Sequence, residues 1–303
     1  LIGPDLYAAE VPVAMRVHRH LIRYRIEVTD RSGRTVTAPY WEDPQPNFAL
    51  YIYNGAPVWG GAIQPGGPGE MSAWIPYDFN QMRPLPVYHL LANSFDVADA
   101  QHIPYSPLPG YMGNDYPWLG TLVYNGVVYD HISFRARGGL RRYATGKNNW
   151  KFNFQRGHHF QAHDDYGVPY PVKWDKLVFG SVLQHANRRY RGEQGMFESL
   201  SYQLFDLAGV PASDTHFVHL RVVDQPAEQT RDQYTGDFWG LYLAIENIDG
   251  RFLDQHGLPD GNLYEMKGAT GELDNEGESG VDDKSDIIAF MNSYLYGNPD
   301  TDW

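Results

Sequence analysis

The 303-residue chain contains no cysteine. That excludes disulfides, thiolate zinc sites and cysteine nucleophiles, and leaves the compartment open. It also lacks any apolar run near the ~20 residues that a membrane-spanning helix needs. The longest runs, such as Asn47 to Tyr53, are short and sit among prolines. No amino-terminal leader pattern is present; Leu1 falls inside what reads as a folded module, so a leader would have to stand upstream. Basic charge is scarce, with 24 Lys and Arg against 37 Asp and Glu and a net charge of -13. An acidic surface repels phosphate backbones, so nucleic acid is not an expected partner.

What is present supports a packed core. Hydrophobic residues make up 42% and charged residues 20%, which argues against global disorder. The 31 glycines and 21 prolines imply many turns and long connections. The length suits about two domains. A β-rich α+β chain with few long helices is expected.

Residues Leu21 to Asp30 alternate, with Ile22, Tyr24, Ile26 and Val28 on one side and Arg23, Arg25, Glu27 and Thr29 on the other. A period of two predicts a half-buried strand. Asp30-Arg31-Ser32-Gly33 is a turn signal, and Arg34 to Ala38 is the returning strand. The hairpin looks like the end of a fibronectin- or immunoglobulin-like sandwich, assigned to residues 1–41. Residues 42–84 are rich in proline, glycine and aromatics and read as an ordered connector, because they carry many large apolar side chains.

From residue 85 the pattern changes. "LPVYHLLA" predicts a buried strand. Leu122 to Tyr124 and Val127 to Tyr129 flank Asn125-Gly126, which supplies the two positive-φ residues of a type I′ hairpin. His131 to Arg137 continues as a strand, a Gly138-Gly139 loop follows, and Asn149 to Phe154 returns with Trp150, Phe152 and Phe154 on one face. Gly195 to Ala208 is a helix with Phe197, Leu200, Leu204 and Leu207 at helical spacing, stopped by Gly209 and Pro211. Phe217 to Val223 and Phe238 to Ile245 are strands, Asp249 to His256 a short helix, and Asp282 to Leu295 a final helix.

This order, hairpin, glycine loop, basic strand, helix, strand, loop, strand, short helix, matches the amino-terminal lobe of a protein kinase. The segments "FRARGGLRRYATGKNNWKFNF", "LAGVPASDTHFVHLRVV", "GDFWGLYLAIENIDGRFL" and "GNLYEMKG" follow one another as motifs do in the CotH (spore-coat-H-like) family of atypical protein kinases. The chain resembles that family over residues 85–303, its amino-terminal portion. The resemblance implies a kinase-like amino-terminal lobe, an antiparallel sheet plus helices, preceded by strands of a β-sandwich module.

It also implies ATP with Mg²⁺ or Mn²⁺, phosphoryl transfer to Ser or Thr of a surface or coat protein, and a secreted or cell-surface bacterial setting. A protein substrate or surface-assembly partner is expected. The family's catalytic and metal-binding aspartates lie in "D-x-x-x-N-N" and "W-D-L-D" segments after the helix that Asp282 to Leu295 resembles. Neither segment occurs here, so no catalytic residue is assigned, and the catalytic portion is expected beyond Trp303.

Phosphoryl transfer depends on positioning and charge neutralisation. Gly138 and Gly139 would let backbone donors approach phosphates, and Arg137 would add a charge-assisted contact. Lys147 and Lys151 lie on the following basic strand, where a kinase uses a lysine to bridge phosphates. Asn148 stands where the family has a second lysine, Gly139 replaces its Asn, and Leu140 its small polar residue. Glu198 is the candidate partner for that lysine. Glu246 follows a buried strand at the place where a kinase chain passes the adenine, and would bond ribose or hold the turn.

Each of these residues also has a plain structural reading as a turn, a solvated strand edge or a helix-end carboxylate. His158, His159, His163 and Asp164 match no established metal spacing. The acidic run Glu272 to Asp283 lacks the EF-hand order and reads as a solvated loop. The alternative to a kinase is a non-catalytic extracellular module binding carbohydrate or protein, a degenerate kinase scaffold.

Overall fold

In the computed structural model, residues 7–55, 58–62, 74–101, 116–138, 147–182, 193–228, 236–266 and 272–293 are described. The strands run β1 (His20–Tyr24), β2 (Ile26–Thr29), β3 (Thr35–Ala38), β4 (Phe48–Ile52), β5 (Trp59–Ala62), β6 (Trp74–Tyr77), β7 (Val87–Ala92), β8 (Trp118–Tyr124), β9 (Val127–Arg137), β10 (Asn149–Asn153), β11 (Lys176–Gly180), β12 (Thr215–Val223), β13 (Phe238–Glu246), β14 (Leu263–Glu265) and β15 (Glu272–Asn275). The helices are α1 (Phe79–Met82), α2 (Ser94–Gln101), α3 (Glu193–Leu207), α4 (Gly250–Gln255) and α5 (Ser285–Ser293). The chain is mixed α+β and mostly strand, as expected.

Seven strands close a barrel in the order β10-β11-β13-β12-β7-β8-β9. Only β7 and β12 run parallel; every other neighbouring pair is antiparallel. Closure removes the exposed sheet edges that would otherwise invite mispairing. The alternation of apolar residues fills the interior. Trp150 and Phe152 of β10, Leu177 and Phe179 of β11, Tyr242 and Ala244 of β13, Val218 and Leu220 of β12, Tyr88 and Leu90 of β7, and Ile132 and Phe134 of β9 form one core. Burial at about 25 cal/mol per Å² of apolar surface makes this set the main stabilising term. The β8–β9 turn has Asn125 at φ 51° and Gly126 at φ 76°, the type I′ geometry that Asn-Gly predicts.

A smaller apolar layer lies outside the barrel. Val178, Val182, Leu243 and Ile245 cluster there with Tyr202, Phe217 and Leu241 packed against them. Tyr202 comes from α3, and the Ser199 hydroxyl of the same helix lies 3.0 Å from that of Thr215.

Several local expectations change. The strand over 21–30 is broken at Arg25. β1 pairs with β4, and β2 pairs with β3. Of the four alternating residues only Ile22 is buried; Tyr24 of β1 is exposed, and Ile26 and Val28 are exposed on the two-stranded β2–β3 ribbon. Among the described residues of 42–84, β4 completes the β1 pair, β5 pairs with β6, and α1 follows.

The four apolar residues of the α3 stripe, Phe197, Leu200, Leu204 and Leu207, are exposed by 53–82%. The helix turns Tyr202, Glu198 and Ser199 to the sheet instead. A strand, β11, is inserted before α3; the five residues Lys176–Gly180 are too few to reveal a period. The last helix starts at Ser285 and buries none of its residues; Leu295 lies outside the described residues.

The β1–β4 pair is fastened to the barrel by polar contacts. Arg23 makes a two-pronged ion pair with Asp130 at 2.6 and 2.8 Å. Asp130 also accepts from the Thr121 hydroxyl at 2.6 Å, from Asn47 Nδ2 at 2.8 Å and from the His131 backbone N–H at 2.9 Å. Arg19, ahead of β1, pairs with buried Asp237 ahead of β13.

Candidate nucleotide cleft

The outer face of β9, β10 and β11 is basic. Cross-strand register sets Lys151 opposite Arg135 on one side and opposite Val178 on the other. Burial lowers the Lys151 pKa, and the charges of Lys176, Arg135 and Arg137 lower it further. Lys176 is neutralised by Asp249 at 3.1 Å and Asp175 at 3.2 Å. Among the described residues, Arg137 and Lys151 have no ion-pair partner. Asp274 acts electrostatically on Lys151 and Glu198 on Arg137, and the excess of positive groups over these acids favours binding an anion.

Beside this face lies a cleft of about 340 Å³. Arg137, the last residue of β9, stands on one wall. Val178 and Ile245 form an apolar floor, and the turn Glu246-Asn247-Ile248 bounds another side. Tyr202 of α3 and the β14–β15 hairpin, through Tyr264, Met266 and Asp274, complete it. The β-pairing explains the floor. Val178 of β11 sits directly opposite Ile245 of β13, so both side chains emerge on the same face.

Of the residues singled out from sequence, Arg137 and Glu246 line the cleft. Gly138 follows β9 with φ 101°, a conformation that suits glycine. Gly139 lies outside the described residues. Lys151 sits one strand away, next to Val178.

Lys147 goes elsewhere. Its ammonium donates to the Leu241 carbonyl and lies 4.0 Å from the centroid of the Tyr242 ring, a barrel-core residue. Burial pushes its pKa down to about 7. Glu198 reaches β11, its Oε2 3.5 Å from where a Cβ on Gly180 would stand. Burial raises its pKa against the pull of Arg137. It makes no ion pair with Lys147 or Lys151 among the described residues. The only basic residue on β11, the strand that leads to α3, is Lys176.

Glu246 is almost fully enclosed. Its Oε2 accepts from the Asp214 backbone N–H at 3.2 Å and lies 2.9 Å from His256 Nε2. Burial pushes its carboxyl up to about 9, with the nearby Asp214 and Asp249 charges adding to it. Of the two roles open to it, the geometry favours holding the turn. The neighbouring Asp249 caps α4 through the Arg251 backbone N–H at 2.9 Å.

Sequence reasoning missed Val178, Tyr202, Tyr264 and Asp274. Tyr264 falls within the GNLYEMKG segment but was given no role, the other three belong to no motif, and only the folded register gathers them. The histidine group does not assemble. His158 contacts Asp43 at 2.6 Å, while His159 faces Arg251 at 2.9 Å.

A basic sheet face thus lies beside an apolar-floored cleft in a mixed α+β domain. The sequence model of the CotH kinase protein family matches residues 134–292, more than half of the chain, and the chain belongs to that family. The match spans β9 through α5 and so contains every element of the cleft. No curated protein matches the chain.

Proposed function

We propose that the cleft binds an adenine nucleotide and that the chain carries the nucleotide-binding lobe of a kinase acting on Ser or Thr of a surface or coat protein. The observation that carries this reading is the cavity between Arg137 and the Glu246–Ile248 turn. The residues present fit such a ligand. Val178 and Ile245 offer an apolar floor to a flat base, the backbone of Asn247 and Ile248 offers polar edges, and Arg137 and Lys151 offer positive charge to phosphates.

Connectivity supports the same reading. From the glycine turn between β9 and β10, the strands lie in the order first, second, third, fifth, fourth, with α3 between the third and fourth. A kinase small lobe orders its five strands in the same way, whereas here β7 and β8 join them to close a barrel. ATP with Mg²⁺ or Mn²⁺ would supply the transferable phosphoryl group. This chain's own part is to hold the base, to neutralise phosphate oxygens and to exclude water from the floor. The exposed apolar residues of α3 support a protein partner.

Equilibrium binding of ATP and AMP tests the reading. Saturable ATP binding is expected, weakened about tenfold by Lys151→Ala and again by Arg137→Ala, in line with one charge-assisted contact each. Unchanged affinity in the double variant would remove the assignment.

A further inference from the structure

Behind the cleft, three metal-ligating side chains from three elements converge. Asp214 precedes β12, Glu246 ends β13, and His256 follows α4. One ligand atom from each lies within 4.8 Å of the other two. The Glu246 side chain is only 1% exposed, and its Oε1 has no hydrogen-bond partner. An enclosed carboxylate oxygen without a donor is costly and points to something that should meet it.

The group also has an entry path. Asp214 opens on a second cavity, of about 210 Å³, which shares Tyr202 and Ser213 with the lining of the cleft. Asp164, Asp165 and Asp206 line this cavity with Asp214, and no Lys, Arg or His does so among the described residues. Lys176 is committed to Asp175 and to Asp249 beside the turn. A funnel of one sign of charge concentrates counter-ions of the other.

We propose that Asp214, Glu246 and His256 hold a divalent transition-metal ion, of the Zn²⁺ or Mn²⁺ kind, entering through the aspartate-lined cavity. One imidazole nitrogen with two carboxylates is a borderline donor set, which favours such ions over Mg²⁺ and Ca²⁺ with their all-oxygen shells. Bonds of about 2.1 Å bring ligands to roughly 3.5 Å apart, so the group must contract by side-chain rotation. Asp214, which is half-buried, has the room. The ion would replace the His256–Glu246 hydrogen bond and tie α4 to the ends of β12 and β13. Its role is structural, holding the turn that bounds the nucleotide cleft. The proposal needs no nucleotide and goes beyond the nucleotide reading, which stands or falls separately.

The test uses the full chain, treated with a chelator and titrated without nucleotide with ZnCl₂, MnCl₂ and MgCl₂. One equivalent of Zn²⁺ or Mn²⁺ is expected to bind with a rise in melting temperature, and Mg²⁺ at least about a hundredfold more weakly. His256→Asn and Asp214→Asn should each weaken binding by at least about tenfold, and Asp254→Asn, an exposed acid on α4, should not. Co²⁺ substitution gives a readout free of any variant, since hyperfine-shifted imidazole protons in its NMR spectrum report a histidine ligand. Absence of one-equivalent binding overturns the proposal. So does a Co²⁺ spectrum without nitrogen ligation, or affinity unchanged in both ligand variants.

Discussion

Lys147 and Tyr242 meet through charge and ring: the ammonium nitrogen lies 4.0 Å from the centroid of a tyrosine that is itself buried in the barrel. The carbonyl of Leu241 accepts from the same nitrogen. Burial works against the charge and brings the pKa down to about 7. Below about pH 7 the lysine is charged in both folded and unfolded chains. From there to about pH 10.5 the unfolded chain keeps a proton that the folded chain has released, so stability at this site rises with pH. Lys147→Met should remove that rise, visible as a stability difference between the proteins that changes across pH 7 to 10 in urea unfolding. ATP affinity should change far less than in Lys151→Ala.

Asp130 anchors the β1–β4 pair. Burial raises its pKa, but hydrogen bonds from Arg23, Thr121 and Asn47 outweigh this and hold the carboxyl well below its usual range. The folded pKa is depressed, so its stabilising contribution is present above about pH 4 and lost as pH falls below that. Asp130→Ala should cost on the order of 3 kcal/mol, because several donors lose their acceptor. Hydrogen exchange should show β1 and β4 losing protection ahead of the barrel.

Gly120 sits at a β8 irregularity where an added side chain would be crowded. An added Cβ would stand 3.1 Å from the Leu91 carbonyl oxygen, 3.1 Å from Leu90 Cδ1 and 3.2 Å from Phe134 Cδ1. Gly120→Ala should destabilise by roughly 1–3 kcal/mol through overpacking. The melting temperature checks this, and an unchanged value would show that the neighbours yield freely.

Buried histidines make the fold acid-sensitive, His89 and His219 among them. Burial lowers His89 to about 3, with Arg221, Arg19 and His18 adding to it, and lowers His219 to about 4. His89 packs against the Tyr51 and Tyr53 rings, and His219 against Phe238. Both folded values are depressed from about 6.5. Stability from these groups is therefore intact above pH 6.5 and lost as pH falls from there toward 4. Urea midpoints at pH 7.5, 6 and 5 should fall progressively, and His89→Gln should flatten that dependence.

Much of the barrel was legible from local chemistry. Asn125-Gly126 specified its turn, Trp150 and Phe152 specified an inward face, and Gly209 with φ +79° closed α3 where expected. The site was legible only in part. Arg137 and Glu246 were read from motifs and both reached the cleft. Lys147 shares its stretch with Lys151 but points to the barrel core, because a lysine's reach depends on which strand end it leaves. β11 gave no signal of its own, so the partner strand of Lys151 and the cleft floor at Val178 stayed hidden.

The sequence by itself determined the period-two strands, their turns and the family to which the chain belongs, since those rest on neighbours a few residues apart. Tertiary structure alone decided that seven strands close on themselves, that α3 turns its apolar stripe outward, and that Asp214, Glu246 and His256 meet. Those outcomes come from contacts between residues far apart in the chain. Long-range register and loop closure set them, and no local pattern of residue types encodes either.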